Sequence, residues 1–123
     1  MLLQDITQLG LKEKEAKVYL ALFEIGEASA LSIAKKAEIN RPTTYFYLEQ
    51  LKQKGLAQMT RRHGKTLFFA APPQAFKKYL QLRARSVSDI QKRLKEVAPQ
   101  LAEMYQRAEV KPKIKLFEGR QGL

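Results

Sequence analysis

The stretch RPTTYFYLEQLKQKGL, residues 41–56, sets three aromatic rings side by side: Tyr45, Phe46 and Tyr47. Pro42 suits a first helical turn, where its missing N–H costs nothing. Gly55 closes the segment as a C-cap glycine does, with Lys52 and Lys54 in the last turn. The segment therefore reads as a helix over 41–54. A turn holds about 3.6 residues, so successive side chains diverge by about 100° and the three rings cannot enter one core. On a wheel, Thr44, Leu48 and Leu51 form the core stripe. Tyr45 and Tyr47 flank it, each about 80° from its centre. Phe46 points nearly opposite the core, and Thr43, Phe46, Tyr47 and Gln50 share the outward face.

The elements on either side give that outward face a setting. LLQDITQLG is a short amphipathic piece ending at Gly10. LKEKEAKVYLALFEIG reads as a helix from Lys12 to Ile25, with Ala16, Tyr19, Leu20, Leu22 and Phe23 at spacings of three and four. Glu13 and Glu15 sit in its first turn, where the helix dipole favours acids, and Gly26 closes it. Ser29 is placed to N-cap the next helix, ALSIAKKAE, whose apolar face is Leu31, Ile33, Ala34 and Ala37. A break of three or four residues around Ile39 and Asn40 then leads into the quoted helix. Downstream, LAQMTRRHGKTLFFAA changes to a strand period around a polar tip with Gly64 as turn residue, the pattern of a β-hairpin. Pro72 and Pro73 punctuate the chain after it.

From Gln74 to about Ala108 the pattern is again helical. Phe76, Leu80, Val87, Ile90, Leu94, Val97, Leu101, Met104 and Ala108 fall on alternating steps of four and three once Arg83 fills the gap. This is an a/d heptad seam with one basic interruption, whose head is expected to snorkel outward. Pro99 lies off the seam, where it would bend the helix without spoiling the interface. At about 1.5 Å per residue the helix would span about 50 Å, longer than so small a domain. The seam is therefore expected to pair two copies of the chain, with Phe76, Leu80, Val87, Ile90, Leu94, Val97, Leu101 and Met104 at the dimer interface. The alternative is packing back on its own domain.

Charge narrows the partner. The chain of 123 residues carries a net charge of +11. Residues 50–95 hold twelve Lys and Arg against one acid, Asp89, so the excess is concentrated there. A field of that density suits a polyanion; the bland reading is a solvated basic surface. An anionic membrane fits poorly, because the segment lacks the apolar face an interfacial helix buries. Apolar residues make up 45% of the chain, enough for a folded core. There is no cysteine, which excludes disulfides, thiolate metal sites and a cysteine nucleophile and suits a reducing compartment. With no signal peptide and no apolar run of about 20 residues, the cytoplasm is the expected location and no membrane is involved.

Helix, brief turn, second helix opening on small polar residues, then a basic-tipped hairpin: this is the order of a winged helix-turn-helix. The fold class expected is mostly α with a small β-hairpin wing, followed by a long dimerising coiled-coil helix. Three segments are expected: 1–71, the winged domain; 72–109, the linker helix; and 110–123, a tail or the opening of a C-terminal effector domain cut short. On a helix lying in a DNA major groove an outward Phe46 can pack on thymine methyls or sugar, while Thr43 and Gln50 offer hydrogen bonds to base edges or phosphates. The alternative for Phe46 is packing on a neighbouring element or a dimer mate. Arg41 stands at the end of the helix that enters the groove. The candidate recognition residues are Arg41, Pro42, Thr43, Thr44, Phe46, Tyr47 and Gln50, with Thr44 included although it lies on the core stripe. The candidate wing residues are Arg61, Arg62, His63 and Lys65, for sequence-independent phosphate contacts. His63 is the chain's single histidine, and no catalytic or metal site is expected around it. No Cys-His pair, glycine-rich phosphate loop or HExxH occurs, so no enzyme and no cofactor is expected.

Residues 9–56 resemble the N-terminal domain of the TrmB family of transcriptional regulators. The matching positions are Leu9, Gly10, Leu11, Glu15, Ala16, Tyr19, Gly26, Ala34, Arg41, Tyr45, Leu48, Leu51, Gly55 and Leu56. The linker with Pro99 and Leu101 is similar to the family's, and KPKIKLFEGRQGL is similar to the opening of its effector domain. The resemblance implies an archaeal or bacterial DNA-binding repressor or activator, often responsive to sugars. The partners expected are a double-stranded DNA operator, an inverted repeat under two-fold symmetry, and a second copy of the chain. A small-molecule effector is expected only with a C-terminal domain. The rival reading is a winged-helix module for protein or RNA contact in a transcription or processing complex.

Overall fold

The structure, a computed structural model, describes residues 2–110. The reading of 111–123 as an effector-domain opening lies outside the described residues. Helices α1 (Leu2–Gln8), α2 (Glu13–Ile25), α3 (Ala30–Ala37) and α4 (Arg41–Gln53) precede strands β1 (Ala57–Arg62) and β2 (Lys65–Ala70), and α5 (Gln74–Arg107) follows. The expected fold class, mostly α with a hairpin wing and a long last helix, is the one observed.

Local chemistry sets the boundaries. The Glu15 carboxylate accepts the Lys12 N–H at 3.1 Å, occupying a donor that the start of α2 would leave free. Ser29 caps α3, its Oγ accepting from the Ser32 N–H at 3.2 Å. The end of α4 is closed by a pair of turn bonds, Gly55 N–H to the Lys52 carbonyl and Leu56 N–H to the Leu51 carbonyl.

The chain divides into two compact units, the first ending at Arg83 and the second beginning at Ala84. In the first unit α2, α3 and α4 bring Val18, Leu22, Ile33, Leu48 and Leu51 into a common core, joined by Leu56. Truncating one such leucine to alanine would cost about 2–5 kcal/mol. Strands β1 and β2 pair antiparallel, from Ala57 opposite Ala70 to Arg62 opposite Lys65. Ala28 adds a short third edge, exchanging both backbone hydrogen bonds with Phe68 at 3.0 and 2.8 Å. This bridge anchors the middle of β2 to the loop before α3.

Phe76 departs from the heptad reading. It is buried in the first unit, 5.7 Å edge-to-face from Tyr19 and 5.9 Å from Tyr79. Its place on the seam is real in sequence, but the ring serves the domain core and is not free for a dimer interface. Arg83 also has a local role: Nη1 donates to the Tyr79 hydroxyl at 3.2 Å. The same nitrogen lies 3.1 Å from where a Cβ on Gly10 would stand, and Gly10 has φ +114°. The backbone angle strains any side chain there, and the guanidinium would have to shift by a few tenths of an ångström to admit one.

In the second unit α5 continues through Pro99 to Arg107. Val87, Ile90, Leu94, Leu101 and Met104 are exposed along it, and Val97 is half-buried. No helix among the described residues is long and apolar enough to cross a membrane.

Candidate nucleic-acid interface

Helix α4 is held at both ends before it presents anything. At its start Asn40 is the N-cap, Oδ1 accepting the Thr43 N–H at 2.9 Å. The sequence reading placed Asn40 in the break; an Asn directly before Arg-Pro was the available signal. Glu38 turns the chain between α3 and α4 through a left-handed conformation, φ 60°.

Thr44 requires a correction. It is 0% exposed, and its hydroxyl donates to the carbonyls of Asn40 at 2.9 Å and Ile39 at 3.3 Å. Its role is to lock the α3–α4 turn, and its side chain cannot reach a ligand on the outer face. A buried hydroxyl must find such partners, and the turn's carbonyls supply them.

The rest of the face is outward. Arg41, Pro42, Tyr45 and Phe46 are exposed, while Thr43, Tyr47 and Gln50 are half-buried. The Arg41 guanidinium lies over the Tyr45 ring, 5.8 Å from its centroid. Phe46 and Tyr47 meet edge-to-face at 5.0 Å, 74° between planes. Tyr47 in turn packs against the hydrophobic core. The Thr43 hydroxyl and the Gln50 amide make no hydrogen bond to another described residue. Two polar groups and one apolar ring are thus displayed together.

The hairpin tip is a two-residue turn in which both His63 (φ 53°) and Gly64 (φ 74°) are left-handed. That is the geometry that matches strand twist in tight hairpins, and it is uncommon for a histidine. Arg61 closes the turn, Nη1 to Thr66 Oγ1 at 2.7 Å and Nη2 to the Gly64 carbonyl at 3.1 Å. Arg62 lies 3.4 Å from Glu27, so part of its charge is answered within the chain. Lys65 and His63 are exposed. Of the four wing candidates, two therefore have structural duties and two are open. Sequence reasoning did not single out Glu27, nor Lys35 and Lys36, exposed basic residues in the last turn of α3.

A helix-turn-helix with its second helix capped and outward-facing, next to a basic-tipped hairpin, is a winged helix-turn-helix. Residues 6–74 match the model of a family described as sugar-specific transcriptional regulator TrmB. The match covers more than half of the chain, and the chain belongs to the TrmB family.

Among solved structures, TrmBL2, described as an archaeal chromatin protein whose structure shows a novel mode of DNA binding, is 25% identical. The match has a TM-score of 0.62 and covers 85% of this chain and 40% of that one. A possible transcriptional regulator from Methanosarcina mazei Go1 matches at 16% identity and TM-score 0.56, over 76% of this chain and 86% of its own. A MarR family transcriptional regulator from Silicibacter pomeroyi DSS matches at 19% and 0.51, over 88% and 65%. These last two share the fold. The chain spans two-fifths of the length of TrmBL2. No curated protein matches the chain.

Proposed function

We propose that this chain is a sequence-specific, double-stranded-DNA-binding part of a transcriptional regulator and works as a homodimer. Helix α4 enters the major groove, with Arg41, Thr43, Phe46, Tyr47 and Gln50 facing the bases. The wing lies along the adjacent backbone through Lys65, His63 and Arg62. The seam of α5, from Leu80 through Val87, Ile90, Leu94, Val97, Leu101 and Met104, joins two copies. The working segments are the winged domain to about residue 71, the linker helix to about 109, and 110–123 as a tail or the opening of an effector domain.

The single observation that carries the reading is the outward face of α4. Its cap and its buried Thr44 fix the helix, and its free side overlooks solvent beside a basic hairpin, in a chain of net charge +11. Membership of a family of transcriptional regulators supports the same reading. A two-fold dimer implies an operator with inverted half-sites about 10 bp, or a multiple, apart.

Selection of bound sequences from random duplex DNA tests it, with duplex RNA as competitor and sedimentation of the free protein. An inverted repeat, weak competition by RNA and a dimer are expected. Single chains that ignore duplex DNA even at low salt would overturn the proposal.

A further inference from the structure

Resting on that reading, we propose that Phe46 makes the protein a reader of the pyrimidine 5-methyl group. It selects a thymine at one position of each half-site and accepts 5-methylcytosine there in place of unmodified cytosine.

Phe46 is 54% exposed, and it carries no polar atom. Most groups on the floor of the major groove are hydrogen-bond donors or acceptors; the bulkiest apolar group there is the C5 methyl of thymine, where cytosine carries only a C–H. A phenyl ring set against a base N or O strips water from it and returns nothing, which is unfavourable. Set against a methyl, it removes apolar surface from water on both sides. The same ring therefore favours the methyl over the smaller C–H edges and penalises the polar groups.

Its posture supports this use. Here the edge-to-face contact with Tyr47 at 5.0 Å braces the ring, and Tyr47 is itself packed on the core. Phe46 lies two residues beyond fully buried Thr44, about 200° around the helix, so it stands close to the pole of the outward face. Arg41 leans over Tyr45, which leaves the Phe46 ring uncovered by that guanidinium. Charge identifies the occupant. An apolar ring exposed on a helix face, on a chain of net charge +11, fits a polyanion better than a second copy of an equally cationic domain. A 5-methylcytosine places its methyl on the same edge of the pyrimidine as thymine does, so the ring cannot tell the two methyls apart.

The test uses the duplex recovered by selection. Each thymine is replaced singly by uracil, which pairs identically and lacks only the methyl, and affinity is measured at fixed salt. Wild type is expected to lose about 4-fold at one thymine per half-site, the equivalent of one buried methyl group, and little elsewhere. In Phe46→Ala, whose exposed site leaves the core intact, that loss disappears. At the same position wild type is expected to prefer 5-methylcytosine over cytosine by the same factor. Uracil tolerated throughout by wild type, or an equal uracil loss in Phe46→Ala, overturns the methyl-reading role while leaving duplex recognition standing. Failure to bind any duplex overturns both.

Discussion

Lys54 Nζ lies 2.7 Å from Glu15 Oε2 and 5.7 Å from the centre of the Tyr79 ring. One ammonium at the C-terminal cap of α4 thus joins α2 and the root of α5. Glu15 is 2% exposed, so the pair sits where a lone carboxylate would be poorly hydrated. Removing one partner of a fully buried pair costs about 3–5 kcal/mol. Glu15 keeps the Lys12 N–H, and Lys54 is partly hydrated, so the lower range of about 1–3 kcal/mol for an orphaned polar group applies. Lys54→Met should lower the urea midpoint accordingly, and Glu15→Gln with Lys54→Met should recover most of the loss. A double variant as weak as the single one would mean that Lys54 acts through packing alone.

The wing separates into open and engaged charges. Lys65→Ala should weaken binding to all duplexes and reduce the salt slope by about one unit. Arg62 is shared with Glu27. Accordingly, Arg62→Ala should cost less than Lys65→Ala, and Glu27→Gln should tighten binding to random duplex at low salt. Titrations of affinity against salt check all three. Equal slopes in wild type and Lys65→Ala would take Lys65 off the phosphates.

Thr43 and Thr44 are neighbours with opposite expected phenotypes. Thr43→Ala and Gln50→Ala should reduce affinity for the selected operator more than for random duplex. Thr44→Val should leave that ratio alone and destabilise the fold by about 1–3 kcal/mol, because the buried Ile39 carbonyl loses the hydroxyl donor, while the Asn40 carbonyl keeps the Thr44 N–H. Parallel binding and denaturation curves distinguish these outcomes; a specificity change in Thr44→Val would return that residue to the interface.

Ile90 and Leu94 are 62% and 55% exposed in the single chain. Aspartate at either position therefore costs a monomer little. In a paired seam it would bury a charge, and sedimentation should show dissociation at micromolar concentration. Unchanged association in both variants would remove this part of α5 from the dimer.

Burial pushes the Tyr19 hydroxyl above the ordinary tyrosine value of 10.0. The unfolded chain then loses its proton first, so the stabilisation is complete below about pH 10 and falls as pH rises through the folded value. Tyr19→Phe should flatten the alkaline limb of a stability profile, and an identical limb in both proteins would assign it to other groups.

Much of this architecture could be read from spacing. The periodicity of Ala16, Tyr19, Leu20 and Phe23, the cap at Ser29, the turn at Gly64 and the length of α5 each encode a local rule, and local rules are what a sequence displays directly. Thr44 and Phe76 were misassigned for a shared reason: a pattern reports which face a side chain occupies, not which partner has already claimed it. Glu15 is the clearest example. Its place in the first turn of α2, where the dipole favours an acid, could be read directly; its ammonium partner lies 39 residues away and is brought to it only by the packing of α4 against α2. Glu27 and Arg62 were hidden in the same way.

With the His63–Gly64 bend already clasped by Arg61, the hairpin has surrendered its conformational freedom during folding. Docking it on a partner needs no further loss of loop entropy. Its contribution is that of a preorganised finger: weakly temperature-dependent in shape, quick to engage, and unable to remould itself around a groove of the wrong width.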